Sequence, residues 1–141
     1  MNWKEEAVDK LKKYRLMVNA VQSIPQELER LTMESLLLQS GTGRLGGKNQ
    51  RSQEDRLMNN LVRRGALEHQ YSCAENWLSV TDRAMALLTD QERQTLTGLY
   101  IDGLEATTVC RGMGMERSNL YRHRDEALRK LTLALYGALE S

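Results

Sequence analysis

Trp3, Ala7, Tyr14, Met17, Val21, Ile24, Leu28 and Leu31 follow one another mostly at intervals of three, four or seven residues, the repeat that lines one side of an α-helix. The pattern predicts an amphipathic helical arm ending near Leu38. Ser23-Ile24-Pro25 cuts across it. Proline has no N–H to donate and suits the first turn of a helix, so the arm is expected as two helices, or as one with a kink. A second stripe, Leu57, Leu61, Leu67, Tyr71, Ala74, Leu78, Met85 and Leu88, runs from about Glu54 for more than four heptads. A helix this long cannot bury its stripe alone, and the first arm offers a matching one. The two are expected to fold back as an antiparallel hairpin that also pairs with a second copy. Gly65 is a candidate bend in the long helix and Trp77 a candidate anchor.

Between the stripes, residues 39–53 hold four glycines and no large apolar side chain except Leu45, a composition that predicts a flexible connector dispensable for folding. Its glycines lack the spacing of a phosphate-binding GxxxxGK[ST] loop. Arg44, Lys48 and Arg51 can touch phosphate, but a solvated connector is the preferred account of them.

The carboxy-terminal third changes character after Leu88. Thr89 followed three residues later by Glu92 is a capping box, in which each side chain satisfies a backbone N–H of the other. A helix is expected from there, turning Leu96, Leu99 and Tyr100 inward and stopping at Asp102-Gly103. A second helix, from about Leu104 to Gly112, carries Ala106, Val109 and Cys110 on its apolar side. After the turn Met113-Gly114-Met115, a third helix begins near Arg117 with the inner stripe Leu120, Ala127, Leu128 and Leu131. The chain therefore reads as all-α. Residues 1–88 form a helical hairpin or coiled-coil arm with a long central helix, and residues 89–141 form a helix-turn-helix domain.

Composition fits this picture, with one proline and no phenylalanine among 141 residues. The 20 basic and 19 acidic residues leave a net charge of +1, so any nucleic-acid surface must be local. Cys73 and Cys110 lack the spacing of a metal site and read as reduced intracellular thiols. His69 and His123 read as structural. No Ser/His/Asp or paired-carboxylate arrangement stands out, and no catalytic residue, metal, cofactor or small-molecule substrate is expected: the chain reads as a non-enzyme. No apolar run approaches the roughly 18 residues of a membrane span, and Met1-Asn2-Trp3-Lys4-Glu5-Glu6 is too acidic and polar for a signal peptide. The expected location is the cytoplasm.

A helix, a glycine-containing turn of about three residues and a second helix with polar first turns is the pattern of a helix-turn-helix. Its reading side chains must leave the helix outward near the start, where they can enter a major groove. Here they are Arg117, Ser118, Asn119, Tyr121 and Arg122, with Arg124 and Arg129 further along. Arg suits guanine bidentately, Asn suits adenine, and Ser or Tyr suits a base or a phosphate. Across residues 115–130, five cations oppose three anions.

Leu88-Thr89-Asp90-Gln91-Glu92-Arg93 through Tyr100-Ile101-Asp102-Gly103-Leu104, then Val109 to Met115, Asn119-Leu120-Tyr121-Arg122 and Ala127-Leu128-Arg129-Lys130-Leu131 together resemble region 4 of bacterial sigma factors. With the helical arm, the Gly-rich basic loop and the long helix in front, the layout is similar to phage late-gene transcription activators of the ArpU and RinA type. The resemblance implies a phage or prophage regulator in a bacterial cell, double-stranded promoter DNA as ligand and host RNA polymerase as a further partner. It puts Arg117, Ser118, Tyr121 and Arg122 at the groove-facing positions. Two positions depart from the pattern. Glu116 stands where the recognition helix usually has a Ser or Thr cap, and Glu105 where a small hydroxyl residue often meets the DNA backbone. A homo-oligomer, with a dimer favoured, is expected, because two-fold pairing doubles the site. The rival readings are a small phage DNA-packaging (terminase) subunit and a polymerase-docking protein that does not read DNA.

Overall fold

The computed structural model describes residues 2–40 and 47–138, and the fold is all-α. Among these residues six helices follow in order: α1 (Trp3–Lys12), α2 (Tyr14–Gln39), α3 (Gly47–Met85), α4 (Asp90–Leu96), α5 (Ala106–Met113) and α6 (Arg117–Tyr136). Between α4 and α5 the chain makes a π-helical turn, Thr97–Ile101. Among the described residues, no helix is long and apolar enough to cross a membrane.

Three expectations are corrected. The interruption in the first arm lies at Lys13, not at Ser23-Ile24-Pro25. Lys13 has ψ −7°, well away from the helical value near −42°, whereas Pro25 sits inside α2 at an exposed position. The connector expected over 39–53 is shorter, because Gly47 onward belongs to α3 and Gln53 is buried with its amide donating to the Leu38 carbonyl. Arg44 and the rest of 41–46 lie outside the described residues. Leu61, expected on the buried stripe, is 55% exposed.

The chain divides into two compact units, one joining the residues up to Met17 with those from Trp77 onward, the other spanning Val18–Asn76. The expected domain boundary at 88/89 does not coincide with this division. In the first unit, α1 is capped by Asn2, whose Oδ1 accepts the Glu5 N–H at 3.2 Å. Glu5 and Glu6 in its first turn and Lys10 and Lys12 in its last oppose the helix dipole favourably. Ala7 and Leu11, one helical turn apart, lose all their exposure in a core shared with Ala84, Met85, Leu88, Leu96, Ala127, Leu128 and Leu131. Each buried leucine stabilises the unit by about 1.5–3 kcal/mol relative to leaving it in water.

The rim of this core is polar and aromatic. Trp3 packs on Tyr136 with centroids 4.8 Å apart, and the Lys10 ammonium lies 4.8 Å from the Trp77 ring. Tyr14 donates its hydroxyl to Asp82 at 2.6 Å, and Arg15 pairs with Asp102 just beyond the π turn. The π turn is closed by the Asp102 N–H donating to the Thr97 carbonyl at 2.8 Å.

In the second unit several hydrogen bonds join α2 and α3. Asn60 donates to the Leu31 carbonyl at 2.9 Å, and Gln53 donates to that of Leu38. The partner number rises on α2 as it falls on α3, so these segments run antiparallel. Arg64 reaches Asn60 Oδ1 at 2.7 Å and Ser35 Oγ at 3.5 Å.

Candidate nucleic-acid interface

The candidate surface is assembled from α4 upward. Thr89 Oγ1 accepts the Glu92 N–H at 3.2 Å while Glu92 Oε1 accepts the Thr89 N–H at 2.9 Å, completing the capping box. Glu92 is nearly fully buried and also meets the Lys130 ammonium of α6 at 3.0 Å. Burial pushes its carboxyl upward, but the Thr89 hydrogen bonds and the Lys130 charge outweigh burial and hold it below the ordinary value. The start of α4 and the middle of α6 are thereby fastened together.

The π turn brings Gly98 against Val109 of α5, and a Cβ at position 98 would stand 2.9 Å from Val109 Cγ2. Only glycine permits this approach without displacement, and α5 is held there by a single buried side chain, Val109. Gly114 then adopts φ 63°, ψ 40° as the left-handed cap of α5, a conformation natural to glycine. The Met115 N–H returns to the Cys110 carbonyl at 3.1 Å, and Glu116 leads into α6 without a side-chain cap.

Leu120, Ala127, Leu128, Leu131 and Thr132 seat α6 on the core. Elsewhere on α6 Arg117, Ser118, Asn119, Tyr121, Arg122 and Arg129 are exposed, while Arg124, four residues from both Leu120 and Leu128, is half-buried. The cations separate into two kinds. Arg124 bonds Asp125 at 2.8 Å and stacks over the Tyr121 ring at 4.7 Å. Arg129 bonds Glu126 at 2.6 Å, an interaction that raises the guanidinium pKa and lowers that of the carboxyl. Arg117 and Arg122 make no hydrogen bond or ion pair among the described residues. The set predicted from sequence therefore shares one helix, but Arg124 and Arg129 are tied to carboxylates, whereas the two arginines, Ser118, Asn119 and the Tyr121 hydroxyl make no hydrogen bond among the described residues.

Sequence reasoning passed over Arg111, an exposed cation in the last turn of α5. Its signal was a basic residue a few positions before the glycine turn. Arg122 also lines a hollow of about 650 Å³ with Asp90, Glu92, His123 and Glu126, so carboxylates flank Arg122 on the α4 side. A larger hollow of about 810 Å³ between α1, the π turn and α6 mixes both signs, with Lys4, Glu5, Asp9, Tyr100 and Arg124 in its walls. Among the described residues, no three His, Cys, Asp or Glu side chains gather as a metal site would require. Cys73 and Cys110 are free. Cys110 is only half-buried rather than part of the core, and Cys73 Sγ lies 3.6 Å from His69 Nε2 on an exposed part of α3.

Comparison with protein-family models, curated proteins and solved structures gave no match.

Proposed function

We propose that this chain is a sequence-specific DNA-binding transcription regulator, of the kind implied by its resemblance to phage late-gene activators, and that α6 is its reading helix. The observation that supports this most directly is the pairing state of the α6 cations. Arg117 and Arg122 stay unpaired and exposed in the first turns of a helix that Leu120, Ala127, Leu128 and Leu131 seat on a core. Free guanidinium groups near the start of such a helix, with Ser118 and Asn119 between them, are the donors that base edges and phosphates accept. Arg124 and Arg129, already neutralised by carboxylates, contribute less, and Tyr121 acts chiefly as the surface on which Arg124 stacks. Arg111, before the turn, adds a phosphate contact from the bracing helix. The ligand is double-stranded promoter DNA in a bacterial cytoplasm, and host RNA polymerase is the further partner.

The test is selection from a random-sequence DNA pool with the full chain, followed by affinity measurements on the selected site and on unrelated DNA. A defined motif is expected. Arg122→Ala should weaken binding to that motif by about 1–3 kcal/mol, with less effect on unrelated DNA. If Arg117→Ala/Arg122→Ala retains wild-type affinity and selectivity, α6 is not the reading helix. If no motif is enriched, the chain is not a sequence reader.

A further inference from the structure

The unit spanning residues 18–76 buries polar side chains beside the apolar Leu31 and Ala74. Ser35, Gln53 and Asn60 are buried within it, whereas Met58, Leu61 and Val62 of α3 are 60%, 55% and 64% exposed. Single exposed apolar side chains are ordinary, but three within five residues form a patch, and such patches mark interaction sites. Met58 and Leu61 also line a groove of about 260 Å³ together with Ser35, Gln39, Leu57 and Arg64. The stripe has a regular spacing. Arg51, Glu54, Met58, Leu61, Gly65 and Glu68 follow at three, four, three, four and three residues, all exposed, the spacing of a coiled-coil seam with apolar side chains at its two central positions. Gly65 has open space around it, with nothing within 4 Å of a Cβ placed there, so a neighbouring helix can come close.

We propose that a second copy of this chain covers this seam, the two α3 helices crossing antiparallel about a two-fold axis between Asn59 and Asn60. About that point Met58 meets Leu61 of the second copy, Glu54 meets Gly65 and Arg51 meets Glu68, each contact occurring twice by symmetry. The charges choose the direction. A parallel pair would set Arg51 on Arg51 and Glu68 on Glu68, whereas the antiparallel pair matches opposite signs at both ends. Neither Arg51 nor Glu68 is engaged in an ion pair among the described residues, so both are available. The seam is short, which places the interface in the small class and the dissociation constant in the micromolar range. The pairing supplies the two-fold symmetry that a DNA reader uses, but it is measured without nucleic acid, so the two readings fail separately.

Sedimentation equilibrium of the full chain from about 1 to 200 µM tests it, a span bracketing the expected constant. The wild type should pass from monomer to dimer. Met58→Glu/Leu61→Glu should stay monomeric with an unchanged far-ultraviolet circular dichroism spectrum. Arg51→Glu and Glu68→Arg should each weaken the dimer about fivefold, and the combined reversal should restore it. A wild type that remains monomeric assigns the face to a different partner and overturns the proposal. A dimer that survives Met58→Glu/Leu61→Glu, or a combined reversal that fails to restore affinity, overturns the seam or its register. Should the double glutamate variant unfold, the charge reversals decide alone.

Discussion

Leu11→Ala probes whether α1 is structurally part of the carboxy-terminal module. Leu11 has no exposure and lies in the cluster with Met85, Leu88, Leu96, Leu128 and Leu131. Truncation to alanine removes all side-chain atoms beyond Cβ and leaves a void that α1, α4 and α6 can close only in part. Such substitutions cost about 2–5 kcal/mol. The better helix propensity of alanine returns at most a few tenths, so a net loss of about 3 kcal/mol is expected. In a unit of this size each kcal/mol lowers Tm by roughly 4–8 °C, so a fall of roughly 12–24 °C should follow. Urea titration read by ellipticity gives the total. The fluorescence of Trp3, 4.8 Å from Tyr136, reports on the docking of α1 itself. Leu16→Ala is the control, since Leu16 is 71% exposed and its loss should stay within about 0.5 kcal/mol. If the two substitutions cost the same, or Leu11→Ala costs less than about 1 kcal/mol, α1 is not in the core and the two-unit description is wrong.

Two further tests probe the same unit. Gly98→Ala should destabilise by about 1 kcal/mol, because the clash with the stiff Val109 side chain, typically about 1–3 kcal/mol, exceeds the gain of up to about 1 kcal/mol in helix propensity. Adding Val109→Ala should reduce the Gly98→Ala penalty in a double-mutant cycle, and a stabilising Gly98→Ala would refute the close approach. The hydrogen bond from Tyr14 to Asp82 holds the phenol proton, and with partial burial pushes its pKa up to about 12. The sign follows: the contribution is full below the unfolded phenol value near 10 and is lost as pH rises toward 12. Phenolate absorbance should therefore show the same number of tyrosines ionising near pH 10 in wild type and Tyr14→Phe. One fewer in the variant would mean Tyr14 is unperturbed.

What could be read in the sequence was local. The Thr89/Glu92 capping box, the glycine turn at Met113-Gly114-Met115 and the inner stripe of α6 each depend on residues close in sequence, and each is found where the sequence places it. What could not be read was which stripes meet. The repeat of Ala7 and Leu11 shows that a face is buried, yet nothing in it distinguishes α2 or α3 as the neighbour from α6. Polar burial was also illegible: Gln53 and Asn60 look like surface residues in any apolar pattern, and their inward placement turned Leu61 outward. Pro25 was misread because proline signals a missing hydrogen bond, while a long helix can absorb that loss on an exposed side. At the candidate site, the residue types on α6 were legible, but their availability was not. That Asp125 and Glu126 occupy Arg124 and Arg129 depends on rotamers, which spacing does not encode.

The docking of α1 on α6 also has a consequence for the order in which the molecule can be made. Leu11 and Leu128 lie more than a hundred residues apart in sequence, yet both belong to one core. During synthesis, at about 5–20 residues per second, α1 leaves the ribosome several seconds before the helix that buries it. Through that interval its apolar face has no native partner, and the antiparallel segments of α2 and α3, which depend on contacts nearer in sequence, can pair first. The core of the first unit then closes as a late, long-range event whose entropy cost grows only slowly with the length of the intervening chain. Lengthening the connector between α2 and α3 should accordingly slow this closure only slightly, while an early release of the chain before α6 leaves α1 without a place to dock.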